Sequence, residues 1–135
     1  MKRNTLVTVI RYTSLFILKC QPSELVLSAG SAMVMHGLRE TTADADVTCT
    51  QAIWDLAATN ERFHRHVTGY GNICTLHLHA GDVDLHAGDP NIPNPTTTVI
   101  DGITVYDLPT LLRQKQLLNR SKDQPDIAAL IAAIG

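Results

Sequence analysis

The stretch from Ile73 to Ala87 admits few conformations. Leu76, Leu78, Val83 and Leu85 alternate with His77, His79, Asp84 and His86 on either side of a Gly81-Asp82 pair. Apolar and polar residues that alternate every second position follow the period of a β-strand, whose successive side chains point to opposite faces. A Gly-Asp pair between two such runs is a hairpin turn. Centred there, the turn sets His79 opposite Asp84, Leu78 opposite Leu85 and His77 opposite His86. One face is then apolar, and the other carries three imidazoles and a carboxylate. A slip of one residue changes the partners but leaves the two sets on separate faces.

The remaining elements are short. Met1-Lys2-Arg3 and the apolar run from Leu6 to Leu18 have the outline of a signal or anchor. Arg11 and Lys19 interrupt it and no small-residue cleavage site follows, so an amphipathic helix or an irregular opening segment is expected. Residues 24–29 predict a buried strand entered after Pro22, Gly30-Ser31 a turn, and Ala32 to Leu38 a short helix. Asp44 to Cys49 alternates as a strand, and Thr50 caps a helix over Trp54, Leu56 and Ala57 towards Phe63. Gly69 and Gly71 mark a turn. Residues 88–98 read as a loop, and Val99 to Val105 as a short edge strand around Asp101-Gly102. Asp107 caps a helix with Pro109 in its first turn that runs to Leu118. Ser121 to Pro125 breaks it before a last apolar helix from Ile127 to Ile134.

A chain of 135 residues suits one domain, 1–135, with a core of ordinary size. Its net charge of -2 excludes a strongly basic nucleic-acid coat and argues against a broad nucleic-acid surface. The charge is uneven: +3 over residues 1–40, -7 over 41–110 and +2 over 111–135. Cys20, Cys49 and Cys74 make an odd set of three without a CxxC pair, which disfavours a disulfide framework. Free thiols point to a reducing, cytoplasmic setting, and no membrane partner is expected.

Chemistry concentrates in Gly30-Ser31, Arg39, Thr42, Asp44, Asp46 and the later Asp84. Two carboxylates two residues apart on a strand share a face. A third from a neighbouring strand completes an oxygen-rich cluster whose members repel unless a cation joins them. Magnesium is the hard, oxygen-seeking ion for such a set, and two such ions line up an attacking oxygen and a leaving pyrophosphate. A glycine-bearing turn that opens a helix offers amides to phosphate oxygens.

The segment LSAGSAMVMHGLRETTADADV resembles the strand, Gly-Gly/Ser turn, helix and Arg...Thr-x-Asp-x-Asp signature of the small nucleotidyltransferases of the DNA polymerase beta-like superfamily. YDLPTLLRQKQLLNRSKDQPDIAAL is similar to the ending of the toxin-like minimal branch, through Leu111, Leu112, Lys115, Arg120, Lys122, Asp123 and Asp126. The resemblance spans about residues 24–130. It implies an α+β nucleotidyltransferase fold, a short mixed sheet packed against helices. It also implies transfer of a nucleoside monophosphate from an NTP such as ATP to a hydroxyl of a protein, a tRNA or a small molecule, in a toxin–antitoxin or defence setting. Asp44, Asp46 and Asp84 would be catalytic and hold two Mg2+ ions, with Asp84 as proton acceptor. Gly30, Ser31, Arg39, Thr42 and Lys115 would hold the nucleotide. Ser31 stands where Gly is frequent, and Ala45 where a bulkier aliphatic is usual. Larger relatives add a helical domain for the acceptor, so loops, a homodimer or a partner protein would supply that contact here.

Plainer readings stand beside these. A catalytically inactive partner-binding protein of the same fold would keep the scaffold without the metal. The His-x-His strand admits zinc, with Asp84 completing the donors, and hence a zinc hydrolase. The plainer role for Asp84 is a pair with His79, and for Asp123 and Asp126 the start of a helix. On α-helical spacing, Lys115 faces inward with Leu111 and Leu112 while Arg120 turns away.

Overall fold

The computed structural model describes residues 1–70, 73–88 and 92–135. Gly71 of the expected turn and residues 89–91 of the expected loop lie outside them. Seven strands make one mixed sheet in the order β3-β4-β5-β2-β1-β7-β6, accompanied among the described residues by five α-helices. The expected α+β class is the one observed.

The N-terminal helix α1 (Arg3–Tyr12) buries Leu6 and Ile10 and continues as a wider π-turn over Thr13–Leu18, which stops where Lys19 turns left-handed at φ 52°. No helix among the described residues is long and apolar enough to cross a membrane. The strand expected over 24–29 is reduced to β1 (Val26–Leu27), because Pro22–Glu24 forms a 3-10 turn and α2 (Ala29–Met35) begins at once. β2 (Ala45–Cys49) is followed by α3 (Gln51–Ala58), where Thr50 accepts a hydrogen bond from the amide of Ile53, as a cap should.

β4 (Ile73–Ala80) and β5 (Val83–Ala87) form the expected hairpin in the expected register, Leu78 to Leu85 and His79 to Asp84. β3 (His64–Tyr70) was not foreseen. Its His-Arg-His-Val run carries too little apolar alternation to announce a strand, and it is strand because the free edge of β4 pairs with it. Leu76, expected in the core, pairs with Val67 of β3, and both are exposed on this outer part of the sheet.

The single edge strand expected over 99–105 is a hairpin, β6 (Thr97–Ile100) and β7 (Ile103–Tyr106). Asp101 and Gly102 are both left-handed, at φ 52° and 76°, as a two-residue turn that matches strand twist requires. β6 takes the edge, and β7 lies inside, parallel to β1. The chain closes with α4 (Leu108–Leu118), capped by Asp107 as expected, a 3-10 turn over Ser121–Asp123, and α5 (Gln124–Ile134), which starts three residues before the apolar run.

One row of the sheet explains its placement. Val105, Leu27, Val47, Leu85 and Leu78 are partners in register across five strands, and each is at most 1% exposed. Burying such a row against the helices is the main stabilising term, at roughly 1.5–3 kcal/mol per side chain. The neighbouring row, Asp46, Asp84 and His79, points by strand alternation to the other face. The apolar row thus sets which face the carboxylates occupy.

Candidate active site

β2 and β5 run parallel with Asp46 directly opposite Asp84, while Asp44 stands one step before β2. All three line a cleft of about 720 Å³, together with Gly30, Arg39, Thr42 and Lys115. Seven of the eight residues singled out from the sequence therefore share one cavity.

The exception is Ser31. Its hydroxyl donates to the carbonyl of Asp44 at 2.8 Å and accepts from the amide of Asp46 at 2.8 Å, and the residue is fully buried. The side chain clamps the backbone between the two carboxylates; what it offers towards the cleft is its position in the first turn of α2. The first amides of a helix have no intrahelical acceptor. Ala29, just before Gly30, is held at φ +48°, a strained value for a residue with a Cβ, and its amide is taken by Gln114 Oε1 at 2.8 Å. Gln114 carries no motif, and its place in the site is set by α4 packing beside α2.

Gly30 is required for a reason of space. A Cβ there would lie 2.5 Å from Arg39 Nη1 and 2.9 Å from Thr42 Oγ1. The guanidinium of Arg39 thus rests on the turn, and its other end binds Asp126 at 3.0 Å. Lys115, 3% exposed, reaches Asp126 at 3.0 Å and Asp123 at 3.4 Å. Arg120 does not turn away; it lines the cleft and grips Asp123 through Nε at 2.8 Å and Nη2 at 2.9 Å. Asp123 does take the amide of Arg120 as a helix-start residue, but its larger role, with Asp126, is to hold three cations on one wall. Linear helix spacing missed this because Asn119, left-handed at φ 47°, ends α4 and swings Arg120 back.

The charges on the two walls act differently. Burial and the charges of Asp84 and Asp44 push the pKa of Asp46 up from 3.8 to about 7, against Lys115 and Arg120. No hydrogen bond from a described residue reaches its carboxylate. Burial works to raise Asp123 as well, but hydrogen bonds from Arg120 and the charges of Lys115 and Arg120 outweigh it and hold the group at about 2. An acidic wall short of positive charge thus faces a basic wall already paired. The donor set of Asp44, Asp46 and Asp84 is all oxygen and mutually repulsive, which fits magnesium.

Asp84 is 6% exposed and hydrogen-bonded by Nδ1 of His77, which is itself 3% exposed. His79 is its partner in register, yet stands off at 3.4 Å, and His86 Nε2 lies 3.9 Å from its second oxygen. Sheet twist brings the diagonal neighbour nearer than the facing one. Burial lowers the pKa of His86, Asp84 opposes this, and His77 adds to the lowering.

No family model and no curated protein matches this sequence. Among solved structures, the solution structure of the antibiotic-resistance factor ANT(2'')-Ia is similar to it, with a TM-score of 0.60 at 13% identity over 97% of this chain and 83% of that one. At that identity the likeness is one of fold: the chain has a nucleotidyltransferase-like fold.

Proposed function

We propose that the chain, acting as a single domain over residues 1–135, transfers a nucleoside monophosphate from an NTP to a hydroxyl acceptor with magnesium. The observation that carries this reading is the pairing of Asp46 with Asp84 across parallel strands, on the cleft that also holds the Gly30 turn and the Lys115–Arg39 wall. Asp44, Asp46 and Asp84 would hold the metal. Bound there, magnesium supplies Lewis-acid stabilisation of the reacting phosphate. Gly30 lets the Arg39 guanidinium lie against the turn, where it and the amides that open α2 would meet triphosphate oxygens, and Lys115 and Arg39 meet their charge by exchanging part of their contact with Asp123 and Asp126. Asp84 accepts the proton of the attacking hydroxyl as that oxygen bonds to the α-phosphorus and the bond to the pyrophosphate oxygen breaks. Burial beside His77 keeps Asp84 in one rotamer for that task.

That ANT(2'')-Ia is an antibiotic-resistance factor favours a small-molecule acceptor as the first to test. The assay offers labelled ATP, GTP, CTP and UTP with magnesium to small-molecule, protein and tRNA acceptors, with and without candidate partner proteins from a toxin–antitoxin or defence setting. Transfer abolished by Asp84→Asn supports the reading. No transfer to any acceptor, with magnesium and NTP binding weak or absent and indistinguishable between the wild type and the Asp44→Asn, Asp46→Asn double variant, moves the chain to the inactive partner-binding reading.

A further inference from the structure

We propose that His77, Asp84 and His86 form a binding site for one transition-metal ion of the zinc class, which shares Asp84 with the all-oxygen set of the cleft and would draw that carboxylate away from it. One donor atom from each of the three residues lies within 4.8 Å of the others. The imidazoles of His77 and His86 stand side by side on the face that carries Asp84, stacked with centroids 5.2 Å apart and planes 6° from parallel, so one ring must tilt out of the stack for both to meet one ion. Zinc in a tetrahedral site holds its ligands at about 2.0–2.2 Å, which sets donors roughly 3.5 Å apart. The His77–Asp84 hydrogen bond would open to that value as its proton leaves, and His86, whose Nε2 lies 3.9 Å from Asp84, would turn towards the shared ion.

The chemistry of the donors separates this site from the magnesium set. Two nitrogens and one oxygen suit zinc, cobalt or nickel, whereas magnesium favours oxygen donors alone. The surroundings suit a bound ion too. His77 and Asp84 are buried, which fixes their rotamers, while His86, with 21% of its side chain exposed, borders the cleft and leaves a path from solvent. His79, with Nδ1 3.4 Å from Asp84, is placed to steady that carboxylate or to supply a fourth donor. A simple ion pair needs one imidazole for Asp84, and here three approach it. The inference does not depend on the transferase reading, since it concerns ion binding alone.

The test uses the full chain stripped with a chelator and then titrated with Zn2+ by calorimetry. Co2+ serves as a coloured stand-in, and imidazole nitrogen NMR identifies the ligands. One ion per chain is expected, with ring-nitrogen shifts at His77 and His86 and none at His36, which bonds the carbonyl of Tyr106 away from the site. His86→Gln should weaken binding by about tenfold or more, and His77→Gln likewise if it folds. The Asp44→Asn, Asp46→Asn double variant should retain zinc. The proposal is overturned by an absence of saturable binding, by unshifted His77 and His86 rings, or by zinc binding that His86→Gln leaves intact and the double aspartate variant removes.

Discussion

Asp46→Asn should make the metal-free protein more stable while removing its response to magnesium. Asp46 faces Asp84 in register, stands two residues from Asp44, and has its pKa raised from 3.8 to about 7 by burial and then by those two charges. A rise of about three units corresponds to an upper bound of about 4 kcal/mol at 1.36 kcal/mol per unit. The carboxylate lines an open cleft, where water screens part of this, so a gain of about 2 kcal/mol is expected, or roughly 5–10 °C in Tm. The sign follows from proton binding. Between pH 3.8 and 7 the unfolded chain has released this proton and the folded one retains it, so the stability of the wild type falls through that window and levels off above it. The advantage of the variant is therefore full at pH 8 and shrinks to about a third at pH 5. Urea unfolding of both proteins in chelator and in millimolar magnesium, at the two pH values, gives the measurement. Magnesium should raise the wild type by mass action and leave the variant unmoved. A variant no more stable than wild type at pH 8 in chelator, or a gain equal at both pH values, refutes the reasoning.

Three further outcomes follow from the same geometry. Gly30→Ala should lower Tm, because its Cβ must push the Arg39 guanidinium off Asp126 and move the Thr42 hydroxyl, and should weaken NTP binding about tenfold or more in a calorimetric titration. Asp123→Asn should cost about 2–3 kcal/mol in urea unfolding at pH 7, because it leaves Lys115 and Arg120 short of a partner. Asp123 is held at about 2, so its contribution is present above pH 3.8 and lost as pH falls towards 2, where the two proteins should converge. Cys49, 5% exposed and pushed up to about 12 by burial and then by Cys20, should resist iodoacetamide at pH 8 in the native protein and react on unfolding, as peptide mass mapping would read.

Strand periodicity was enough to place the Ile73–Ala87 hairpin in register and Asp84 on its polar face, and residue type placed the caps of α3 and α4 at Thr50 and Asp107. These features are local: alternation and capping are settled by residues within a few positions of each other. Three others were decided only by packing between distant elements. β3 exists because β4 has an open edge, and no alternation of its own announces it. Ser31 turned from the cleft because its buried hydroxyl must satisfy its hydrogen bonds, which it does by donating to the carbonyl of Asp44 and accepting from the amide of Asp46. Arg120 joined the basic wall because the left-handed Asn119 redirects the chain between α4 and α5, so that Asp123 and Asp126 become partners for Lys115 and Arg39. The residue types and their spacing singled out three carboxylates that line one cleft. Which imidazole reaches Asp84, and which cations face it across the cleft, depended on sheet twist and helix packing, which act between residues far apart in sequence.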